Sequence, residues 1–356
     1  MAPVRGSTTR AAEGQLSNRL GQPTPRNSKW GVVSIRTWTG LASRYRRGMP
    51  FDTRFCKAVG CELPLQLASL GGPIGTPELA AAVSSAGGLG MIPNPSRAEV
   101  EDLVLAAREL TDGPIGVGFL MPFVDHQAVE AAGKAAHVVE FFYGDPDAKL
   151  VRLAKVHGAV VGWQVGSSIE AAAAVDAGCD FVVAQGTEAG GHIRGSQPLD
   201  DVLRESLAAV SLPVVAAGGI GSAHRVAELL RAGASAVRVG TRFVAARESN
   251  AHPDYVAALV DASAPDTVIT EAFGLGWSNA PHRVLRSALL AAESFAEEVV
   301  AVVGERRVPP FAPVPPTAAT KGKVAAMALY AGTSVDDVSH RQPAGEIVAE
   351  LTSLVS

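Results

Sequence analysis

Residues 160–192 read "VVGWQVGSSIEAAAAVDAGCDFVVAQGTEAGGH". An apolar run at 160–165 is followed by an Ala-rich stretch of helical length, 169–177, and then by a second apolar run at 181–185. Neither run alternates apolar with polar residues. That is the pattern of strands covered on both faces, as in parallel sheets. Ser168 stands where a helix takes a hydroxyl cap, and Gly178 where it takes a residue that accepts the left-handed conformation. The second run then flattens into glycines and presents His192.

The same grammar extends from Glu62 to about Arg247. Apolar runs lie at 63–68, 89–92, 115–121, 138–143, 160–165, 181–185, 214–217 and 237–239, with helical stretches between them such as 77–86, 97–110 and 223–232. Thr76 precedes Pro77 and Glu78, which sets a cap, a proline at the first helical position and an acid in the first turn. Ser222 is a second cap, and Ala86-Gly87 and Ala232-Gly233 are helix stops. This alternation could build an open doubly wound sheet. A count of eight strand-then-helix units instead predicts a (β/α)8 TIM barrel of the α/β class.

Past Arg247 the rhythm breaks. Segments 254–262, 280–303, 321–331 and 344–354 read as helical, and "VPPFAPVPP" (308–316) as a proline-rich connector. The expected organisation is therefore an extension at 1–48, a barrel at 49–249, and a helical appendage at 250–356 whose last helices return to the barrel.

Composition narrows the function classes. The chain has 356 residues, 47% hydrophobic, with a net charge of −4. A balance so near neutral gives no reason to expect nucleic acid or an acidic membrane as partner. No apolar run reaches the roughly 18 residues of a membrane span. Cys56, Cys61 and Cys179 form neither a disulfide framework nor a CxxC motif, which fits a reducing cytoplasm. Cys179 reads as a packing thiol. The first 48 residues differ: eight Arg and one Lys against one Glu give about +8, leaving about −12 for the rest. Such a stretch, poor in hydrophobic pattern, is expected to be disordered. It could also be a transit peptide, or an upstream extension with Met49 as the natural start.

Barrels place chemistry at the carboxyl ends of their strands. Gly218 and Gly219 end one strand just before a helix that starts near Ser222, and Gly240 and Thr241 end the next. Glycines there let backbone N–H groups approach an anion, so the two turns predict a phosphate site. Gly190 and Gly191 let the chain lie flat against a planar ligand. His192 is the natural proton-transfer group, since imidazole titrates near neutral pH. Glu188 could orient its loop, pair with Arg194 or be solvated; a structural role is favoured. The remaining histidines and cysteines show no ligand spacing, so no metal is expected. "SSAGGLGMI" (84–92) runs helix to strand, the wrong direction for a dinucleotide fingerprint.

The stretches "GTPELAAAVSSAGGLGMI" (75–92), "AQGTEAGGHIRG" (184–195), "PVVAAGGIG" (213–221) and "AVRVGTRFVAARES" (236–249), with "ALYAGTSVDDV" and "PAGEIVAEL" in the tail, resemble the nitronate monooxygenase family. That family, formerly called 2-nitropropane dioxygenase, also holds FMN-dependent enoyl-acyl-carrier-protein reductases and NADH:quinone reductases. The resemblance implies an FMN-containing barrel. It places Ala68, Ser69 and Leu70 along the isoalloxazine ring, and Gln164 near the flavin's N1–C2 edge. Gly190 and Gly191 come beside the cofactor. Ala217, Gly218, Gly219, Gly240 and Thr241 fall on its phosphate, and His192 takes the place of the catalytic histidine.

Three stretches depart from the family pattern. Ala68-Ser69-Leu70 stands where Ala-Pro-Met is usual, Gly116-Val117-Gly118 where Gly-Val-Asn is usual, and neutral Gln164 where Lys is frequent. A neutral group stabilises an anionic reduced flavin less than a cation would. The leading expectation is oxidation of alkyl nitronates with O2. The alternative on the same scaffold is NAD(P)H-dependent reduction of an enoyl or quinone substrate. A third, from another class, is a flavin-binding protein without turnover, motivated by Ser69, Leu70 and Gly118. A homodimer is compatible with each.

Overall fold

The computed structural model describes residues 53–355. The Arg-rich extension, with the disorder expected of it, and Met49 lie outside those residues. No helix among the described residues is long and apolar enough to cross a membrane.

Eight parallel strands form one sheet: β1 (Leu65–Leu67), β2 (Gly90–Pro93), β3 (Ile115–Leu120), β4 (Val138–Phe142), β5 (Val160–Val165), β6 (Phe181–Gln185), β8 (Val214–Ala217) and β9 (Ala236–Val239). A two-residue strand outside the barrel, β7 (Gly191–His192), falls between the sixth and seventh. The order is β1-β9-β8-β6-β5-β4-β3-β2. The sheet closes between its ends: Leu67 N–H donates to Leu89 O, and Leu89 N–H to Leu65 O, each at 2.9 Å. This is the barrel that the eight runs predict, not the open sheet.

The helix α1 (Arg54–Val59) precedes the barrel, and its Phe55 packs edge-on against Phe181 at the start of β6, 5.3 Å between ring centres. The strands are followed in turn by α2 (Pro77–Ser85), α3 (Val100–Arg108), α4 (His126–Ala135), α5 (Ala148–Lys155), α6 (Ser168–Ala177), α7 (Leu199–Ala209), α8 (Ala223–Arg231) and the short α9 (Thr241–Val244). Their caps are local chemistry. Thr76 Oγ1 accepts from Leu79 N–H at 3.0 Å, and Ser222 Oγ from Arg225 N–H at 3.4 Å. The cap of α6 is Ser167, one residue before the expected Ser168, because Ser167 holds the extended backbone (φ −156°, ψ 162°) that aims its hydroxyl at Glu170 N–H. Gly178 closes that helix at φ 91°.

The C-terminal region keeps helices α10 (Pro253–Val260), α11 (Arg286–Glu293) and α12 (Ala344–Leu351). It also contains strands where helix was expected. Within 280–303 lie β11 (His282–Leu285), paired antiparallel with β10 (Thr267–Thr270) and with β7, and β12 (Ala301–Val303). Within 321–331, β14 (Thr320–Gly322) pairs with β12, which also pairs with β13 (Arg306–Val308), and a single 3-10 turn at Val324–Ala326 follows. These segments are extended because distant partners supply the hydrogen bonds, and residue pattern does not report a partner.

Two hydrophobic clusters result. One fills the barrel and its helices, α12 included. The other joins α10 and α11 to the tail segment through Met327, Leu329 and Ala331. In that segment Tyr330 pairs through its backbone with Val284 of β11.

Helix α2 presses closely on β2. A Cβ at Gly90 would lie 2.0 Å from Ala80 O, a backbone atom that cannot rotate away. Gly90→Ala is expected to cost about 3 kcal/mol, in the range of overpacked cores, read as a lower urea midpoint with an unchanged slope.

Candidate active site

The carboxyl ends of the barrel strands surround a cavity of about 850 Å³. Its lining includes Ala68, Ser69, Leu70, Gln164, Gly190, Gly191, His192, Ala217, Gly218, Gly219, Gly240 and Thr241. The structure therefore brings every site residue read from the sequence to one place.

At the ends of β8 and β9 the backbone is shaped for close approach. Gly218 and Gly219 have φ of 118° and 64°, a region that strains any residue with a Cβ. Their N–H groups find no acceptor among the described residues, and the amino end of α8 follows at once. Arg242 fixes this turn from behind, donating to Gly221 O at 3.0 Å while pairing with Glu350 of α12 at 2.5 Å. Thr241 Oγ1 accepts from Gly332 N–H at 3.0 Å, so its own hydroxyl hydrogen remains to be donated. At Gly190 the missing side chain makes room for the chain itself: a Cβ would lie 2.5 Å from Gly332 N. At Gly191 it would meet nothing within 4 Å.

Glu188 has the structural role expected of it. Its carboxylate accepts from Leu199 N–H at 3.0 and 3.2 Å, at the start of α7. Arg194 pairs instead with Glu170 and Asp145.

His192 is held by β7 against β11, in register with His282. Its ring stacks on Trp277, 3.9 Å between centres and 19° between planes, with Tyr143 edge-on and Tyr330 on a further side. His192 Nε2 is buried without a hydrogen-bond partner among the described residues, and so is the Tyr330 hydroxyl. Burial, and secondarily His282, lowers the His192 pKa from 6.5 to about 3, so the imidazole is neutral in the fold. His282 is pinned at both nitrogens, by Ala280 O at 2.8 Å and Phe273 N–H at 3.2 Å. It supports His192 and has no free atom for chemistry.

The floor of the cavity carries two residues that the sequence reading passed over, Arg238 and Glu140, linked to Gln164 and, outside the lining, to Gln66. Arg238 of β9 ion-pairs with Glu140 of β4 and donates to Gln164 Oε1 at 2.6 Å. Gln66 Nε2 donates to Glu140 Oε2 at 2.7 Å. All four side chains are buried. The available signal was a single charge inside each of two apolar strands, "VVEFF" and "AVRV": opposite charges at buried positions must find each other. Tyr330 and Trp277 carried no comparable signal: Tyr330 lies in the segment 321–331 that reads as helical, and Trp277 in one without strand or helix pattern.

Two departures from the family pattern prove to be one. A Cβ at Gly118 would lie 2.2 Å from Ser69 Oγ and 3.0 Å from Ser69 Cβ. The Ser69 side chain thus occupies space that only glycine at 118 leaves open, and its buried Oγ has no partner among the described residues. Cys179, at the opposite end of β6, is a buried free thiol whose pKa burial pushes up to about 12.

A closed parallel barrel with two glycine turns and a half-buried, neutral histidine at one rim defines the class: a (β/α)8 barrel whose cavity lies at the carboxyl ends of its strands. The family model described as nitronate monooxygenase matches residues 53–132 and 123–353, and the chain belongs to that family, whose members carry a flavin. It is 33% identical to a nitronate monooxygenase of Pseudomonas aeruginosa, over 61% of this chain and 76% of that protein. It is 31% identical to "(3aS,4S,5R,7aS)-5-hydroxy-7a-methyl-1-oxo-octahydro-1H-indene-4-carboxyl-CoA dehydrogenase" of Rhodococcus jostii, over 67% of each. The structure of FabK from Thermotoga maritima superposes with a TM-score of 0.70 at 30% identity, covering 85% of this chain and 95% of that one.

Two outcomes follow from this geometry. Gly118→Ala should destabilise the protein by about 1–3 kcal/mol. Combined with Ser69→Gly, which removes both clashing atoms, it should cost clearly less than the sum of the single changes; additive costs in denaturant titrations would separate the two sites. For His192, an unfolded chain binds a proton below pH 6.5 that the folded chain refuses until about pH 3. Stability should therefore decrease as the pH is lowered through that window, by about 2 kcal/mol at pH 5. His192→Gln should lose less stability than wild type between pH 7 and pH 5 in urea unfolding.

Proposed function

We propose that the chain is an FMN-dependent oxidoreductase that oxidises alkyl nitronates with O2. The observation that carries the reading is the meeting, in one cavity, of two glycine N–H groups without acceptors and a neutral histidine with an unpartnered nitrogen. The residues present fit FMN. Gly218 and Gly219, with the hydroxyl of Thr241 and the amino end of α8, would hold its phosphate. Ala68, Ser69, Leu70 and Gln164 would line its ring, with the orphaned Ser69 hydroxyl as one polar contact. When bound, FMN supplies the electron transfer that side chains cannot.

The rest is done by the protein. A nitronate is an anion, and its oxygens would accept from the imidazole N–H of His192. The nearby negative charge would raise the proton affinity of that ring, opposing the effect of burial. With a neutral nitroalkane, the unpartnered His192 nitrogen would take the α-proton. Trp277 stacked on the ring, with Tyr143 and Tyr330 around it, would fix its orientation.

A second reading, NAD(P)H-dependent reduction of an enoyl or quinone substrate, is favoured by the size of the cavity. At about 850 Å³ it lies toward the upper end of small-molecule sites, roughly 300–1,000 Å³, and it reaches beyond the glycine turns to Asn94, Leu103 and Arg306. The similarity to a protein named as a carboxyl-CoA dehydrogenase agrees with a substrate larger than an alkyl nitronate.

The protein, purified or reconstituted with FMN, should show flavin absorbance near 450 nm. Under the leading reading, anaerobic NADH leaves that band intact and a nitronate drives oxygen uptake. Rapid bleaching by NADH would assign the second reading instead. His192→Ala should keep FMN but turn over a neutral nitroalkane at least tenfold more slowly than wild type; an unchanged rate removes the role given to His192.

A further inference from the structure

We propose that Arg238 is the cation that stabilises the negative charge a bound flavin ring acquires on reduction, with Glu140 as the counter-ion that holds it in place. The proposal rests on the flavin reading above and adds to it the group that sets the cofactor's potential.

In the closed order of strands, β9 and β4 are four places apart in a ring of eight, on opposite walls of the barrel. The ion pair between Arg238 and Glu140 therefore spans the interior and brings the guanidinium to the barrel axis, beneath the cavity. One guanidinium nitrogen, Nη1, serves both Glu140 and Gln164. Nε and Nη2 make no hydrogen bond among the described residues, although Arg238 is only 7% exposed and lines the cavity. A guanidinium has five N–H donors in a fixed fork, so those on Nε and Nη2 remain for a ligand. Gln164 spends its oxygen on Arg238, which leaves its amide NH2 to face the cavity as well.

The floor is thus an array of donors under a positive charge. It suits a ligand edge rich in acceptors, more so when that edge is negatively charged. Adding two electrons and one proton to a neutral isoalloxazine leaves one negative charge on the ring, which is the state this floor favours. Gln164 is neutral, but the charge missing from its own side chain is supplied at 2.6 Å by Arg238. Of the charged residues lining the cavity, Glu140 and Arg238 are the buried ones; Glu78, Glu99 and Arg306 are exposed.

The test is the midpoint potential of the FMN-loaded protein, from anaerobic dithionite titration against reference dyes, with FMN affinity measured separately by fluorescence quenching. Arg238→Gln should lower the preference for reduced over oxidised flavin at least tenfold, about 30 mV for a two-electron couple. Glu140→Gln, which leaves the cation uncompensated, should shift it the opposite way. Removing Arg238 alone strands a carboxylate in the barrel. The double variant Arg238→Gln/Glu140→Gln keeps the experiment decisive if the single variant does not fold, and its potential should also fall below wild type. Potentials equal to wild type in variants that bind FMN would overturn the inference while leaving the flavin reading intact. Failure of wild-type protein to bind FMN would overturn both.

Discussion

Closure of the strands into a ring is the constraint on which the rest depends. Two hydrogen bonds between Leu89 and the residues Leu65 and Leu67 join the ends of the sheet, and a sheet without ends has no unpaired edge to protect. Because the strands are parallel, closure also places all eight carboxyl ends on one rim. Residues far apart in the chain then face one another: Ala68 N–H donates to Val239 O at 2.8 Å, and Thr333 N–H to Glu188 O at 3.0 Å. The interior of such a ring is filled by side chains, so a charge inside it needs a partner across the axis. Arg238 and Glu140 meet that need.

Folded proteins satisfy nearly all their buried polar groups, so the exceptions call for a cause. Five side-chain atoms are buried and unpartnered among the described residues: Gln66 Oε1, Ser69 Oγ, His192 Nε2, Ser206 Oγ and the Tyr330 hydroxyl. Three of them belong to residues lining the cavity, beside the unpaired N–H groups of Gly218 and Gly219. Their concentration at one rim is what a site built for a polar ligand looks like before the ligand is considered. The same desolvation that leaves His192 unpartnered keeps it neutral, ready to accept a proton once a ligand changes the local charge. Both nitrogens of the neighbouring His282 are engaged, by Phe273 N–H and Ala280 O, so this readiness is confined to one imidazole.

Ser69 and Gly118 show how a departure from a family pattern should be weighed. Taken singly, each removes something usual and weakens a functional reading. Taken together they are complementary, since the Ser69 hydroxyl, which stands where proline is usual, fills the space that glycine leaves open at 118. The motive for a protein without turnover is weakened accordingly. Gln164 behaves similarly: its lack of charge matters less when a guanidinium donates to it.

Much of this was legible in the order of residues. Uninterrupted apolar runs mark strands buried on both faces, Thr76 and Ser222 cap helices through hydroxyls a few atoms away, and glycine at 178, 218 and 219 meets a backbone demand that is local. Such features are written within a few residues, which is why the eight barrel strands and the glycine turns could be read directly. The partners were not legible. That His282–Leu285 is a strand, that Glu188 caps α7, that Arg238 reaches Glu140, and that Ser69 needs Gly118 each depend on which distant segment lies alongside. A side chain's burial leaves a mark in its own neighbourhood, but the identity of what it is buried against is set by strand order and by distance across the barrel, and only the tertiary structure fixes those.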